Sequence, residues 1–237
     1  MKNPSHIQHI ETRHEQYVPW TIFDVFFSYV FIFALSIIFA GIMLYAGMDI
    51  NMNFFLVVLQ ILLSFSTLAI VYLIVTKKYQ VPFSEAFGLS LNRLPSSISL
   101  GIFATAIIIL TTTFISVIFS QFTGTEPKNP YMEMPEDRLR WITILAVFFA
   151  PIVEEIFFRG FMQPAISKLA GPFFGILITA LIFGISHTQY LDYSTAIFSV
   201  TAIGLILGIT KYKTGSVMPG IFAHFFNNLL AVVFIMS

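Results

Sequence analysis

Seven separate stretches of apolar sequence constrain this chain more than any other feature it carries. Most are about 20 residues long, the length of helix needed to cross the ~30 Å hydrocarbon core of a bilayer. They lie near 22–46, 54–76, 98–122, 141–163, 173–187, 194–210 and 217–236, the fifth and sixth being the shortest. Composition leaves little water-loving surface to cover them: 57% of the residues are hydrophobic and 10% charged, where soluble domains run near ~25% charged. No stretch alternates with a period of two, so a β-barrel does not compete. The expected architecture is all-α, a polytopic transmembrane helical bundle of about seven spans. Residues 1–19 form a polar tail and 20–237 a single transmembrane domain. The first run is too long for the apolar part of a signal peptide and no small-residue cleavage site follows it, so it reads as a retained helix.

Lysine plus arginine balance aspartate plus glutamate at 12 each, so charge offers nothing to nucleic acid. There is no cysteine, which removes disulfides, thiolate metal sites and a cysteine nucleophile. With the N-terminus inside, the cytoplasmic segments hold Lys2, Arg13, Lys77, Lys78, Arg93, Lys168, Lys211 and Lys213, against Lys128, Arg138 and Arg140 opposite. That asymmetry predicts a multi-pass protein of the cell membrane with its N-terminus in the cytoplasm. Of the connections, 81–94 reads as a short interfacial helix with Ser84 as cap and Phe83, Phe87 and Leu91 on one side. The stretch 123–140, with three prolines, reads as an exposed loop. No internal repeat is visible.

Against this background the segment "PIVEEIFFRGFMQ" at 151–163 stands out, because each charge at mid-bilayer costs at least ~2.5–3.5 kcal/mol. Glu155 and Arg159 are four apart on one helix face in the favourable order, so each neutralises the other. Glu154 lies about 100° round the helix, with nothing basic at three or four residues either side. A carboxyl held in low dielectric resists ionisation, which suits it to exchange a proton near neutral pH. The remaining polar intruders are His187 in "LIFGISH" and His224 with Asn228 in "FAHFFNNLL". His224 and Asn228 share a face, whereas Asn227 points away and reads as a packing amide. Three expensive groups on three helices are hard to explain by packing alone. Glu154 and His187 also lie equally far from the turn at "LAGP", so an antiparallel hairpin folded between Ala170 and Gly171 brings them to one level, roughly 25 Å from the turn. The polar "TQYLDY" after His187 fits a wet cavity better than lipid. His6, His9 and His14 sit in the tail, where no element fixes a metal geometry.

These residues form three short motifs in order: Glu154-Glu155-x-x-x-Arg159, Phe183-x-x-x-His187 and His224-x-x-x-Asn228. Here the chain resembles the CAAX protease and bacteriocin-processing family of intramembrane proteases, also called the Abi family, which includes the type II CAAX prenyl endopeptidases. The resemblance covers 141–237, the expected catalytic core. It implies hydrolysis of a peptide bond in a membrane-associated protein or peptide. Glu154 and His187 would activate a water, and His224 and Asn228 would bind the oxyanion. Glu155 and Arg159 would support the site, and Pro151 would bend the helix beside Glu154. Glu154, His187 and His224 also make a possible zinc set. The helix-borne His-Glu-x-x-His signature is missing, however, and zinc leaves Asn228 idle, so the reading is metal-free. A proton-coupled transporter and a non-catalytic membrane scaffold or immunity protein are the rival classes.

Overall fold

A computed structural model describes residues 18–45, 52–124, 143–187 and 193–236. Most of the described residues are helical, with no strand among them. Helix α1 spans Ile22–Tyr45 and α2 spans Met52–Tyr72, continuing as a π-helical turn over Leu73–Lys78. A single turn, α3 (Phe83–Ala86), precedes α4 (Leu94–Thr123). Helix α5 (Ala150–Glu154) lies between π-helical segments Leu145–Phe149 and Glu155–Met162. Then come α6 (Gln163–Ser186), α7 (Ser194–Thr214) and α8 (Met218–Met236). Five helical stretches are long and apolar enough to cross a membrane, and α8 carries a shorter apolar helix. The fourth stretch, Leu145–Ser186, has 42 residues because it is two arms joined at Gly171. Each of the seven apolar runs is therefore a helix of one polytopic bundle.

The elbow falls where "LAGP" placed it. Gly171 adopts φ 83, ψ 163, a conformation essentially closed to residues with a Cβ. Pro172 then starts the second arm, where its missing N–H costs nothing. The arms run antiparallel: a Cβ on Gly175 would sit 2.0 Å from the Ser167 hydroxyl, and the Phe158 and Phe183 rings are 5.1 Å apart further along.

Prolines also account for the widened turns of the first arm. Ala150 N–H bonds back to the Leu145 carbonyl and Gln163 N–H to that of Phe158, both five residues earlier. The next residue in each case is a proline, Pro151 or Pro164, which has no N–H to extend the ladder. A π-turn before the ring also relieves its clash with the preceding turn.

The connection 81–93 does not form the expected amphipathic interfacial helix. Only Phe83–Ala86 is α-helical, with a separate 3-10 turn at Leu91–Arg93; Pro82 precedes the α-helical turn, and no side chain, Ser84 included, caps it. Phe87 is fully buried whereas Leu91 is exposed, so the two do not share a face. The connection instead turns inward. Phe87 fills the notch left by Gly160, where a Cβ would meet its ring at 2.2 Å, and its carbonyl accepts from Val217 N–H at 3.0 Å. Gly88, at φ +64, presses against Gly215 and Ser216. Tertiary packing of one ring has overridden the local pattern.

One buried cluster surrounds the first arm and includes Trp20, Phe87, Phe157, Phe158, Phe161 and Phe183. A second joins α4, α7 and α8 through Ala104, Ile108, Leu207 and Ala223. Small residues set the close approaches there: a Cβ on Gly101 would lie 2.5 Å from Phe222. Such notches are how membrane helices gain contact without a hydrophobic drive. Asp24, which the sequence reading passed over, ties the start of α1 to the end of α2. It accepts from Thr21 N–H, Thr21 hydroxyl and Tyr79 hydroxyl at 2.8–2.9 Å and pairs with Lys78.

Candidate active site

Glu155 and Arg159 form the expected pair, with Nη1 2.9 Å from Oε1 and both side chains 0% exposed. Their burial has identifiable supports. The Arg159 guanidinium lies 4.0 Å over the Phe183 ring, and its Nη2 reaches the Gly204 carbonyl at 3.5 Å. Gly220 of α8 makes room for the carboxylate, since a Cβ there would stand 2.7 Å from Glu155 Oε2.

Glu154 faces two imidazoles. Its Oε2 is 3.8 Å from His187 Nε2 and 3.9 Å from His224 Nε2. The level match across the elbow is thus real, and α8 brings the third group from beyond it. Exposure separates the two glutamates: Glu154 keeps 23% of its side-chain surface and His187 18%, against 0% for Glu155. Glu154 is the partly exposed carboxylate, although the Oε2 that faces the imidazoles is itself buried and has no hydrogen-bond partner among the described residues.

Each imidazole is held at its far nitrogen. His187 Nδ1 lies 2.7 Å from the Phe183 carbonyl, four residues back on its own helix. A carbonyl only accepts, so Nδ1 carries the hydrogen and neutral His187 presents a lone pair at Nε2 toward Glu154. Phe183 also meets the ring edge-on at 4.5 Å, which gives the Phe-x-x-x-His spacing a physical content. His224 Nδ1 lies 3.3 Å from Glu155 Oε1, so the carboxylate that pairs with Arg159 also orients His224. The sequence did not show that contact, because it depends on the rotation of α8. His224 is 6% exposed and touches the Phe183 ring at 5.9 Å.

Asn228 is one turn beyond His224, and its Nδ2 donates to the Ala146 carbonyl at 2.8 Å. One of its two N–H groups is therefore engaged. Asn227, expected to pack between helices, donates to Asn228 Oδ1 at 3.2 Å. At the rim, Tyr29 of α1 and Ser186 are hydroxyl to hydroxyl at 2.7 Å, beside His187. That contact has no signal in the sequence. "TQYLDY" up to 192, most of 123–140 and the three tail histidines lie outside the described residues.

For zinc, ligand atoms at ~2.0–2.2 Å on tetrahedral directions stand about 3.3 Å apart. The Glu154–imidazole separations are wider, and no group of three His, Cys, Asp or Glu among the described residues is arranged to hold a metal ion.

Comparison with known proteins agrees on where the specific signal lies. The family model described as type II CAAX prenyl endopeptidase Rce1-like matches residues 136–230. The chain is 31% identical over 111 residues to "Uncharacterized protein YyaK" of Bacillus subtilis, covering 44% of this chain and 37% of that protein. It is 30% identical over 96 residues to an "Uncharacterized 24.3 kDa protein" of Escherichia coli, covering 39% and 44%. It is 31% identical over 90 residues to "Putative membrane peptidase YdiL" of Bacillus subtilis, covering 38% and 35%. The matched stretches span less than half the length of these relatives. No solved structure matches the chain. The matched segment holds all three motifs, and over it this chain is similar to the Rce1-like, type II CAAX prenyl endopeptidase family.

Proposed function

We propose that this protein is an intramembrane endopeptidase that hydrolyses a peptide bond of a membrane-associated protein or peptide precursor. The observation that carries the reading is the convergence of Glu154 with the Nε2 atoms of His187 and His224 at 3.8 and 3.9 Å. Glu154 takes a proton from water as the water oxygen attacks the scissile carbonyl, and returns it to the leaving amine. His187, fixed by the Phe183 carbonyl, orients that water through Nε2. The negative charge that develops on the carbonyl oxygen is met by N–H donors of His224 and Asn228. With Nδ1–H directed at Glu155, His224 donates from Nε2 as the imidazolium. Asn228 donates through the N–H not engaged by Ala146. Glu155 and Arg159 hold this arrangement without touching substrate.

The reaction needs no metal in this reading, since water activation falls to Glu154 and charge stabilisation to N–H donors. A zinc enzyme built on the same residues is the alternative, and a scaffold or immunity protein without turnover is the other. The substrate class is supported by the similarity to the Rce1-like family over 136–230 and by the apolar helices that carry the site.

The test reconstitutes wild type and Glu154→Gln in lipid vesicles. Both receive a fluorescence-quenched farnesylated peptide ending in a CAAX sequence. In parallel, both receive a solubilised membrane-protein fraction that is analysed for new chain termini. Wild type is expected to generate cleavage products that Glu154→Gln lacks, to hold no stoichiometric zinc by elemental analysis, and to keep its activity in strong chelator. No wild-type product in either arm, or equal products from both proteins, overturns the protease reading. About one zinc per chain, with activity lost to chelator and restored by zinc, overturns the metal-free part.

A further inference from the structure

The bond between Asn228 and Ala146 is explained by a residue that touches neither side chain. The π-helical segment Leu145–Phe149 closes with a bond from the Ala150 N–H to the Leu145 carbonyl, five residues back. The next carbonyl, Ala146, awaits the N–H of residue 151, which is proline and has none. Ala150 cannot serve instead, because its N–H is directed to Leu145. Ala146 thus carries a carbonyl without a helical donor, inside an apolar span where an unpaired backbone group is costly. Asn228 Nδ2 stands 2.8 Å from that oxygen. A carbonyl only accepts, so the amide nitrogen must face it, and Oδ1 is left to accept from Asn227 at 3.2 Å. Both ends of the carboxamide are therefore pinned.

We propose that Asn228 is a positioning residue: it gives the Ala146 carbonyl the hydrogen bond that Pro151 cannot, and so fixes the widened turn that leads into Glu154 against α8. Ala146 lies two turns before Glu154 on the same arm, and His224 lies one turn before Asn228 on α8. The bond therefore sets the register in which His224 meets Glu154. The proline frees a carbonyl and the asparagine captures it, a cross-helix join written in two separate motifs. Its consequence for turnover rests on the protease reading above; its consequence for folding does not.

The experiment is a double-mutant cycle on the full chain with Asn228→Ala, Pro151→Ala and both together. Alanine at 151 restores an N–H, and whether the turn stays π or tightens to α, Ala146 regains a backbone donor. Asn228→Ala alone is expected to lower the melting temperature in detergent by about 2–8 °C. In the Pro151→Ala background the same change should cost less than half of that. If Asn228→Ala alone does not fold, recovery of folded protein on adding Pro151→Ala is the expected result. Equal losses in both backgrounds, or a double variant that fails to fold while Pro151→Ala folds, overturns the proposal. The readout that a purely structural role would not move is turnover of the farnesylated peptide per folded molecule. Asn228→Ala should lower kcat more than it changes KM, and Pro151→Ala should restore part of that kcat. Restored melting temperature with no restored kcat overturns the positioning role and leaves Asn228 as an oxyanion donor alone. If wild type shows no turnover, the protease reading fails while the melting cycle still decides whether the bond exists.

Discussion

At the scale of single residues, the two adjacent glutamates have opposite environments and should fail in opposite ways. Glu155 is 0% exposed and faces Arg159 at 2.9 Å and His224 at 3.3 Å. Removing one member of a buried pair typically costs ~3–5 kcal/mol, because the remaining charge is stranded. Glu155→Gln is expected to lose thermal stability and yield, with activity lost as a consequence. Glu154 has no counter-ion of that kind and keeps 23% of its surface. Glu154→Gln should melt at or slightly above the wild-type temperature while its turnover falls by roughly 10²–10⁴-fold. Melting temperature and cleavage rate per folded molecule, measured on both variants, check the pair. A stable but dead Glu155→Gln beside an active Glu154→Gln would reverse the assignment. Gly220→Ala offers an independent approach to the same carboxylate. The added methyl would stand 2.7 Å from Glu155 Oε2, and overpacking of this kind costs ~1–3 kcal/mol. It should behave as a milder Glu155→Gln. An unchanged melting temperature would show that the carboxylate relaxes away without loss.

At the scale of elements, what was legible depended on whether a feature was local. The Glu155–Arg159 pair could be read because four residues along a helix always share a face. The elbow could be read because Gly-Pro after a helix has few other conformations, and counting from it put Glu154 and His187 at one level. Neither the His224–Glu155 contact nor the Asn228–Ala146 bond could be read so. Both require the rotation of α8 about its own axis, and the apolar pattern of a helix bathed in lipid does not fix that angle. The inward turn of 81–93 was missed for the same reason, since Phe87 enters a notch whose floor is Gly160, over 70 positions away. Asp24 was visible as a carboxylate two residues into the first run, but its partners Lys78 and Tyr79 belong to another helix. The elbow itself yields a prediction. At both Gly171 and Gly41 an added Cβ meets nothing within 4 Å, so only backbone conformation separates them. Gly171→Ala should destabilise by about 1–3 kcal/mol, because φ 83 and ψ 163 exclude a Cβ. Gly41→Ala, within α1, should be neutral or stabilising. Equal melting temperatures for the two variants would mean that the elbow is not held by Gly171.

At the scale of the whole molecule, the contacts gather the positive charge at one end. Lys168 donates to the Val18 carbonyl at 3.2 Å and Lys78 pairs with Asp24, so the elbow, the start of α1 and the end of α2 lie together. Ser216 donates to the Gly88 carbonyl at 2.7 Å, which adds the 81–93 connection and the turn between α7 and α8. Lys77, Lys78, Arg93, Lys168, Lys211 and Lys213 therefore belong to one face of the bundle. The described residues at the opposite end, such as Thr123 and Gly124, carry no lysine or arginine. Cytoplasmic segments concentrate such charge, so this face should lie inside the cell. The site lies about two turns from it: Tyr29, which meets Ser186 beside His187, is five residues beyond Asp24, and His224 is eight beyond Ser216, on the order of 8–12 Å along their helices. A cysteine-free chain makes the orientation directly testable. Asn92 is exposed on the basic side, and Thr123 is exposed at the far end of α4, roughly 45 Å along the helix. In intact cells a membrane-impermeant thiol reagent should label Thr123→Cys and leave Asn92→Cys untouched until the membrane is permeabilised. Labelling of Asn92→Cys alone would place the basic face outside, and with it the side of the membrane to which the Glu154–His187–His224 cluster is nearer.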